Sequence, residues 1–233
     1  ERREAWRNKE VIKRLYHKWY RMVAEMLRPG RTLELGGGSG NLKGFLPEAI
    51  TSDIIFVPWL DAVMDAHALP FRDETLDNLV LCDVLHHLSA PPLFFREAER
   101  VLKPGGRIFM VEPYVSWVSF FVYRFIHAEG MNVHVNLFEG DGSRRGKDPF
   151  EGNQAIPTLI FEKYRHKFEE SFPCLKIIRN ERMDPLVYPL SGGFHNPSLC
   201  PPFLWNLLEY VERLLRPLSE YVSFRLFVVA EKR

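Results

Sequence analysis

The stretch Thr-Leu-Glu-Leu-Gly-Gly-Gly-Ser-Gly-Asn-Leu at 32–42 constrains this chain more than any other. A short apolar run feeds four glycines in the five positions 36–40, and a segment that can start a helix follows. Glycine inside a strand or helix costs stability, so such a cluster has a backbone reason. A strand that enters a glycine-rich turn and leaves as a helix is how an open α/β sheet brings bare main-chain N–H groups up to a nucleotide-like ligand.

The rest of the chain fits that placement. Residues 4–27 carry Val11, Ile12, Leu15, Trp19, Met22, Val23, Met26 and Leu27 at three- and four-residue spacing, which predicts one amphipathic helix, ended by Arg28, Pro29 and Gly30. Strands are predicted at 31–35, 49–54, 60–66, 76–82 and 107–113, with helices after the glycines and at 91–102. Short apolar strands alternating with helices specify an α/β domain with a largely parallel sheet. Residues 114–160 break the pattern and read as a loop-rich insertion. A helix (158–170), a strand (174–181), a proline-rich stretch (185–202), a helix (203–215) and a last strand (223–232) complete the order. The division expected is an N-terminal helix (1–30), a cofactor-binding core (31–113), a substrate lid (114–160, with part of 185–215 contributing) and a C-terminal part of the core (161–233).

Three ligand classes compete for the glycine turn. A phosphate loop needs a Lys-Ser/Thr pair after its last glycine, and here Asn41 follows Gly40. A dinucleotide loop needs a third glycine or alanine where this chain has Asn41 or Lys43. What remains is an acid followed by glycines at alternate positions: Glu34, Gly36, Gly38, Gly40.

That pattern resembles motif I of the class I S-adenosylmethionine-dependent methyltransferases. Four further segments agree: Ser52-Asp53 at the end of the second strand, 65–71 (DAHALPF), 76–88 (LDNLVLCDVLHHL) and 97–113 (EAERVLKPGGRIFMVEP). The last is very similar to the helix–PGG–strand hairpin of the small-molecule, methyltransferase type 11-like subgroup. The resemblance covers about 30–113 and the final two strands. It implies a Rossmann-like, mostly parallel seven-stranded sheet with a terminal antiparallel strand, an N-terminal helix and a helical or loop lid. It also implies S-adenosylmethionine as cofactor and S-adenosylhomocysteine as its product. Glu34, Gly36, Gly37, Gly38 and Gly40 then form the loop against the cofactor. Asp53 accepts from the ribose hydroxyls, Asp65 and Ala66 meet the adenine edge, and the turn of Cys82, Asp83 and Val84 passes beside the methionine portion. One departure stands out: 54–60 (IIFVPWL), with Pro58, replaces the family's helix between its second and third strands, leaving Trp59 or Ile54 to stack on the adenine.

For the chemistry, His87 follows the fourth strand, Glu112 ends the fifth and Tyr114 comes just after it, all at the carboxyl edge of the sheet, where ligands bind, and these are the candidate acid–base or orienting groups. His127 and His134 in the insertion rank below them. Adjacent His86 and His87 lack a third ligand at helical spacing, so no metal is expected. The aromatic run Trp117, Phe120, Phe121, Tyr123 and Phe125 fits lid packing, a lipophilic pocket or a peripheral membrane contact. The basic run 144–147 (RRGK) fits a solvated loop or a clamp for an anionic group.

The net charge of +1 gives no electrostatic case for nucleic acid. Cys82, Cys174 and Cys200 are widely spaced and read as reduced thiols, consistent with a cytoplasmic protein. No secretory signal is visible at the start, which lacks Met, and no uncharged apolar run reaches the roughly 18–20 residues of a bilayer span. The expected function is methyl transfer from S-adenosylmethionine to a small or lipid-linked metabolite, at oxygen in preference to nitrogen or carbon. The alternatives are a non-catalytic cofactor-binding scaffold and a nicotinamide-dependent oxidoreductase. The oligomeric state is left open.

Overall fold

The computed structural model describes residues 2–125, 130–135, 137–138, 148 and 151–233. His127 and the basic run at 144–147 lie outside the described residues.

Seven strands form one sheet: β1 (Thr32–Leu35), β2 (Ile50–Asp53), β3 (Ala62–Val63), β4 (Leu76–Cys82), β5 (Leu102–Pro113), β6 (Leu175–Met183) and β7 (Arg225–Lys232), in the order β3-β2-β1-β4-β5-β7-β6. All neighbours from β3 to β5 pair in parallel, whereas β7 runs antiparallel to both β5 and β6. This is the mostly parallel, Rossmann-like sheet expected, with the last strand of the chain inserted between β5 and β6. Strand order reverses between β1 and β4, so a crevice opens above their carboxyl ends, the place where such sheets bind ligands.

Alternate residues of the central strands bury on opposite faces, so both faces of the sheet need cover. Leu33, Leu79, Leu81, Ile108, Met110 and Val228 join one apolar cluster, while Val80, Phe109, Val111, Phe227 and Val229 join the other. The first face is covered by α4 (Pro91–Val101), through Phe94, Phe95 and Ala98, and by the helical run after residue 155, through Ile156, Ile160, Phe161 and Phe168. The second is covered by the N-terminal helix, through Ile12, Leu15 and Trp19, and by Val187 and Trp205. Each such fully buried side chain contributes about 1.5–3 kcal/mol relative to exposure.

The N-terminal segment is two helices rather than the single one expected: α1 (Arg2–Asn8) and α2 (Glu10–Ala24). Lys9 is extended (φ −103°, ψ 96°), and its Nζ donates to Gly193 O (2.8 Å) and Asn196 O (2.5 Å). That tie bends α1 over the carboxyl edge of the sheet. The strand expected at 60–66 shrinks to the two residues of β3; Asp61 before it, still exposed, ties back to β2 and α3 instead, its Oδ2 accepting from Thr51 N–H and from Lys43 Nζ. The helix after the glycines, α3 (Asn41–Phe45), is one short turn. The insertion begins with α5 (Trp117–Phe125). The helix expected at 158–170 is broken into α6 (Ile156–Thr158), a π turn (Leu159–Lys163) and α7 (Arg165–Ser171). Then come α8 (Val187–Ser191), α9 (Trp205–Leu214) and α10 (Ser219–Val222). Among the described residues no helix is long and apolar enough to cross a membrane.

Candidate active site

The glycine turn is held from below by main chain. Gly37 N–H donates to Ser52 O (2.8 Å), and Gly40 N–H closes the turn on Gly37 O (2.8 Å). Gly36 has φ +68°, and a Cβ there would stand 2.4 Å from Val84 Cγ2, so the turn after β4 packs directly on this backbone. Gly38 has φ +46°, and a Cβ there would meet only Gly36 O, at 3.9 Å. Its bare face looks into a cleft of about 640 Å³ lined also by Asp53, Asp65, Ala66, Asp83, Val84 and His87.

Asp53 stands at the end of β2 with Oδ2 accepting from Gly38 N–H (3.0 Å) and Oδ1 from Ile55 N–H (3.2 Å). Asp65 Oδ1 accepts from His67 N–H (2.9 Å) and lies 2.7 Å from His67 Nδ1. Trp59, from the segment that replaces a helix, donates its Nε1–H to Gly38 O (2.8 Å), and the Arg3 guanidinium covers its ring at 4.3 Å. Trp59 and Ile54 both line the cleft.

Glu34 lies beneath the loop rather than in the cleft wall. It is 3% exposed, and its Oε2 has no hydrogen-bond partner. Burial, with the nearby charge of Asp53, pushes its carboxyl up to about 8. Gly37 sits over that carboxylate, and Gly40 caps α3 under Trp59. Cys82 ends β4 behind the cleft, and burial raises its thiol well above the ordinary range.

A second cavity of about 380 Å³ opens beside the first. Arg2, Asp83, His87 and His195 line both, so the two spaces meet there. The second is walled by Tyr16, Tyr123, Tyr188, Phe194 and Phe224, with Val122 and Gln154 from the insertion.

The three expected acid–base candidates land in different places. His87 stands at the junction of the cavities, its ring 4.2 Å from that of His86. Glu112 is fully buried and lines neither cavity; its Oε1 accepts from Val84 N–H and Leu85 N–H (both 2.8 Å), and its Oε2 lies 2.7 Å from His86 Nδ1. Tyr114 is buried away from both cavities, its hydroxyl near Glu220 O (3.4 Å) and pushed up to about 12 by burial. His134 is described but lines neither cavity. Among the described residues no group of His, Cys, Asp and Glu could hold a metal ion.

Tyr123 of the aromatic run does line the second cavity, but Arg2, Arg3, His195 and the other aromatic walls, Tyr16, Tyr188, Phe194 and Phe224, have no local sequence signal. Their placement depends on the bend at Lys9 and on the loop at 192–196, which meet only in the folded chain.

An open α/β sheet in this strand order, with a glycine turn between the first strand and helix and carboxylates at the next two strand ends, defines the class I methyltransferase fold. Residues 33–110 match the family model described as "Methyltransferase domain", so over this third of the chain it is similar to the S-adenosylmethionine-dependent methyltransferases of the type 11 kind. The chain resembles a "SAM dependent methyltransferase from Archaeoglobus fulgidus" (TM-score 0.59, 14% identity, 94% of each chain). It also resembles the geranyl diphosphate C-methyltransferase of Streptomyces coelicolor, solved with S-adenosyl-L-homocysteine (TM-score 0.52, 13% identity, 97% of this chain and 83% of that one). Among curated proteins it is 33% identical over 108 residues to a ubiquinone/menaquinone biosynthesis C-methyltransferase of Ruegeria, a match over 36% of this chain and 43% of that protein. The chain spans less than half the length of the curated relatives it matches.

Proposed function

We propose that the protein transfers a methyl group from S-adenosylmethionine to a small or lipophilic acceptor, with the larger cleft holding the cofactor and the second cavity the acceptor. The observation that carries this reading is the meeting of the two cavities at Asp83 and His87. Methyl transfer is an in-line displacement, so it needs two sites that share one narrow boundary.

The residues of the cleft fit the cofactor. Gly38 puts no side chain on the cleft side, while its N–H and C=O are held by Asp53 and Trp59. Asp53 would accept from the ribose diol, since each carboxylate oxygen keeps an acceptor site beyond its one backbone bond. Asp65 and Ala66 would meet the adenine edge, with Trp59 or Ile54 against its face. Glu34 supports the loop from beneath. When bound, S-adenosylmethionine supplies an activated methyl group.

The remaining work falls to the chain. Glu112 fixes the turn at Val84 and Leu85 and holds His86, so it is a positioning residue. His87, at the boundary, faces the acceptor. The described ends of the segment 114–160 serve the acceptor side: Val122, Tyr123 and Gln154 line the second cavity, while Ile156 and Ile160 pack into the core. The curated relative acts in quinone biosynthesis by its name, and an apolar, aromatic cavity suits an acceptor of that general kind, whether oxygen or carbon takes the methyl group. The exposed Trp117, Phe121 and Phe125 of α5 allow such an acceptor to be drawn from a lipid surface.

A thermal-shift comparison tests the reading. At a hundredfold excess over its dissociation constant, S-adenosylhomocysteine adds about 2.7 kcal/mol, or roughly 5–10 °C for a chain of this size. A shift with NAD or NADP and none with S-adenosylhomocysteine overturns the proposal in favour of an oxidoreductase.

A further inference from the structure

Asp83 and Arg225 form an ion pair that the fold assembles across 142 residues of sequence. Arg225, the first residue of β7, is fully buried. Its Nη2 donates to Asp83 Oδ1 (2.5 Å) and to Val111 O (3.1 Å), and its guanidinium lies over the rings of Trp19 (4.8 Å) and Tyr188 (4.7 Å). Its Nε and Nη1 have no hydrogen-bond acceptor. Asp83 adopts a left-handed φ of 59°, which side chains seldom take, and its N–H donates to Val111 O (3.0 Å). Tyr16 donates its hydroxyl to Asp83 Oδ2 (3.1 Å).

Stability alone does not account for this clamp. A buried ion pair is on average no better than apolar packing of the same volume. A left-handed aspartate and two buried guanidinium nitrogens without acceptors both add cost. What the clamp achieves is aim. A quarter of the Asp83 side chain stays exposed, and that quarter faces both cavities where they meet. Each carboxylate oxygen has used one acceptor site on its clamp and keeps another. Burial acts to raise its pKa, but the charge and hydrogen bond of Arg225, with His86 and Arg2 beside it, together outweigh burial and hold it below the usual carboxylate value, so the group is an acceptor only.

The surroundings choose what it accepts from. An ammonium would approach a carboxylate already neutralised by Arg225, with Arg2 in front of it and the Tyr188 face already covered by the guanidinium. An anion would meet Asp83 head on. A neutral hydroxyl on an apolar or aromatic body meets neither penalty and fills a cavity walled by Tyr16, Tyr123, Phe194 and Phe224.

We propose that Asp83 is the acceptor-orienting and specificity-determining residue, taking a hydrogen bond from a neutral hydroxyl of the methyl acceptor, with Arg225 and Tyr16 as its positioning residues. This rests on the methyl-transfer reading above, and the test separates the two.

The protein saturated with S-adenosylhomocysteine is titrated with three probes: 2-naphthol, its methyl ether and protonated 2-naphthylmethylamine. The naphthol is expected to bind roughly tenfold tighter than the ether, the scale of one charge-assisted hydrogen bond. Asp83→Asn keeps a residue suited to left-handed backbone. Should it fail to fold because Arg225 is left uncompensated, the pair variant Asp83→Asn with Arg225→Met removes both charges. Either variant is expected to lose the naphthol preference and still to be saturated by S-adenosylhomocysteine. Equal binding of naphthol and ether by the wild type, or tightest binding of the amine, overturns the role of Asp83. A large loss of S-adenosylhomocysteine affinity in the variants also overturns it, by making Asp83 a cofactor contact. No uptake of S-adenosylhomocysteine by the wild type overturns the methyl-transfer reading and this proposal with it.

Discussion

Two neighbouring glycines in the turn at 36–40 serve different ends, and exchanging each for alanine separates them. Gly36 has φ +68°, where an alanine costs about 1–2 kcal/mol. Its new methyl would lie 2.4 Å from Val84 Cγ2, far inside contact distance, and overpacking of that kind costs about 1–3 kcal/mol. Gly36→Ala therefore loses about 2–5 kcal/mol, which lowers Tm by roughly 5–15 °C in a chain of this length. Gly38 has φ +46° and an empty Cβ direction, so Gly38→Ala loses only the backbone cost of about 1–2 kcal/mol. Its methyl, however, stands on the cleft wall where the cofactor is to lie. Differential scanning fluorimetry and calorimetric titration with S-adenosylhomocysteine read both quantities on the same samples. Gly36→Ala should show the larger fall in Tm, partly restored by Val84→Ala, whereas Gly38→Ala should show the larger loss of affinity, tenfold or more. If Gly38→Ala binds like the wild type, or if Val84→Ala does not relieve Gly36→Ala, the turn does not work as argued.

Three other outcomes follow from the same geometry. The Glu34 carboxyl is pushed up to about 8, so between its ordinary value of 4.5 and 8 the folded chain keeps a proton that the unfolded chain releases. Stability should then fall as pH rises through that window and level off above it; Glu34→Gln, measured by urea melts from pH 5 to 9, should flatten that fall and be the more stable protein at pH 8. Glu112→Ala strands the buried Leu85 N–H and the half-buried Val84 N–H and should cost about 2–5 kcal/mol in the same melts. Glu112→Gln, which keeps the accepting oxygen, should hold most of the stability and turnover, an outcome that a general base at 112 would not allow. Asp53→Ala should weaken S-adenosylhomocysteine binding roughly tenfold to a hundredfold by isothermal titration, through loss of charge-assisted hydrogen bonds to the sugar.

Local chemistry explains which parts of this molecule could be read from its residues. The glycine turn, β4 and α4 are specified within a few positions: an apolar run of β length, Pro91 and Pro92 at a helix start, and glycines where φ must be positive. The cleft residues Gly36, Gly38, Asp53, Asp65 and Ala66 belong to such segments, so their neighbourhood in space follows from the strand order. The break at Lys9 was not legible, because it depends on carbonyls of Gly193 and Asn196 far along the chain. Nor was the burial of Glu112. Its place at the end of β5 puts it at the right edge of the sheet, but only the register of β5 against the turn after β4 decides that both its oxygens are taken by that turn. The second cavity joins α2, α5, α8 and the loop at 192–196, elements whose periodicity records which face is apolar and not which partner covers it.

The most direct test of the central claim is a crystal structure of the protein grown with S-adenosylhomocysteine. The account predicts that the ligand lies along Gly36 and Gly38, with its sugar on Asp53, its adenine between Asp65 and Trp59, and its sulfur toward the boundary at Asp83 and His87. A ligand seated in the aromatic cavity instead, or a cleft that stays free of it at millimolar concentration, would contradict the account.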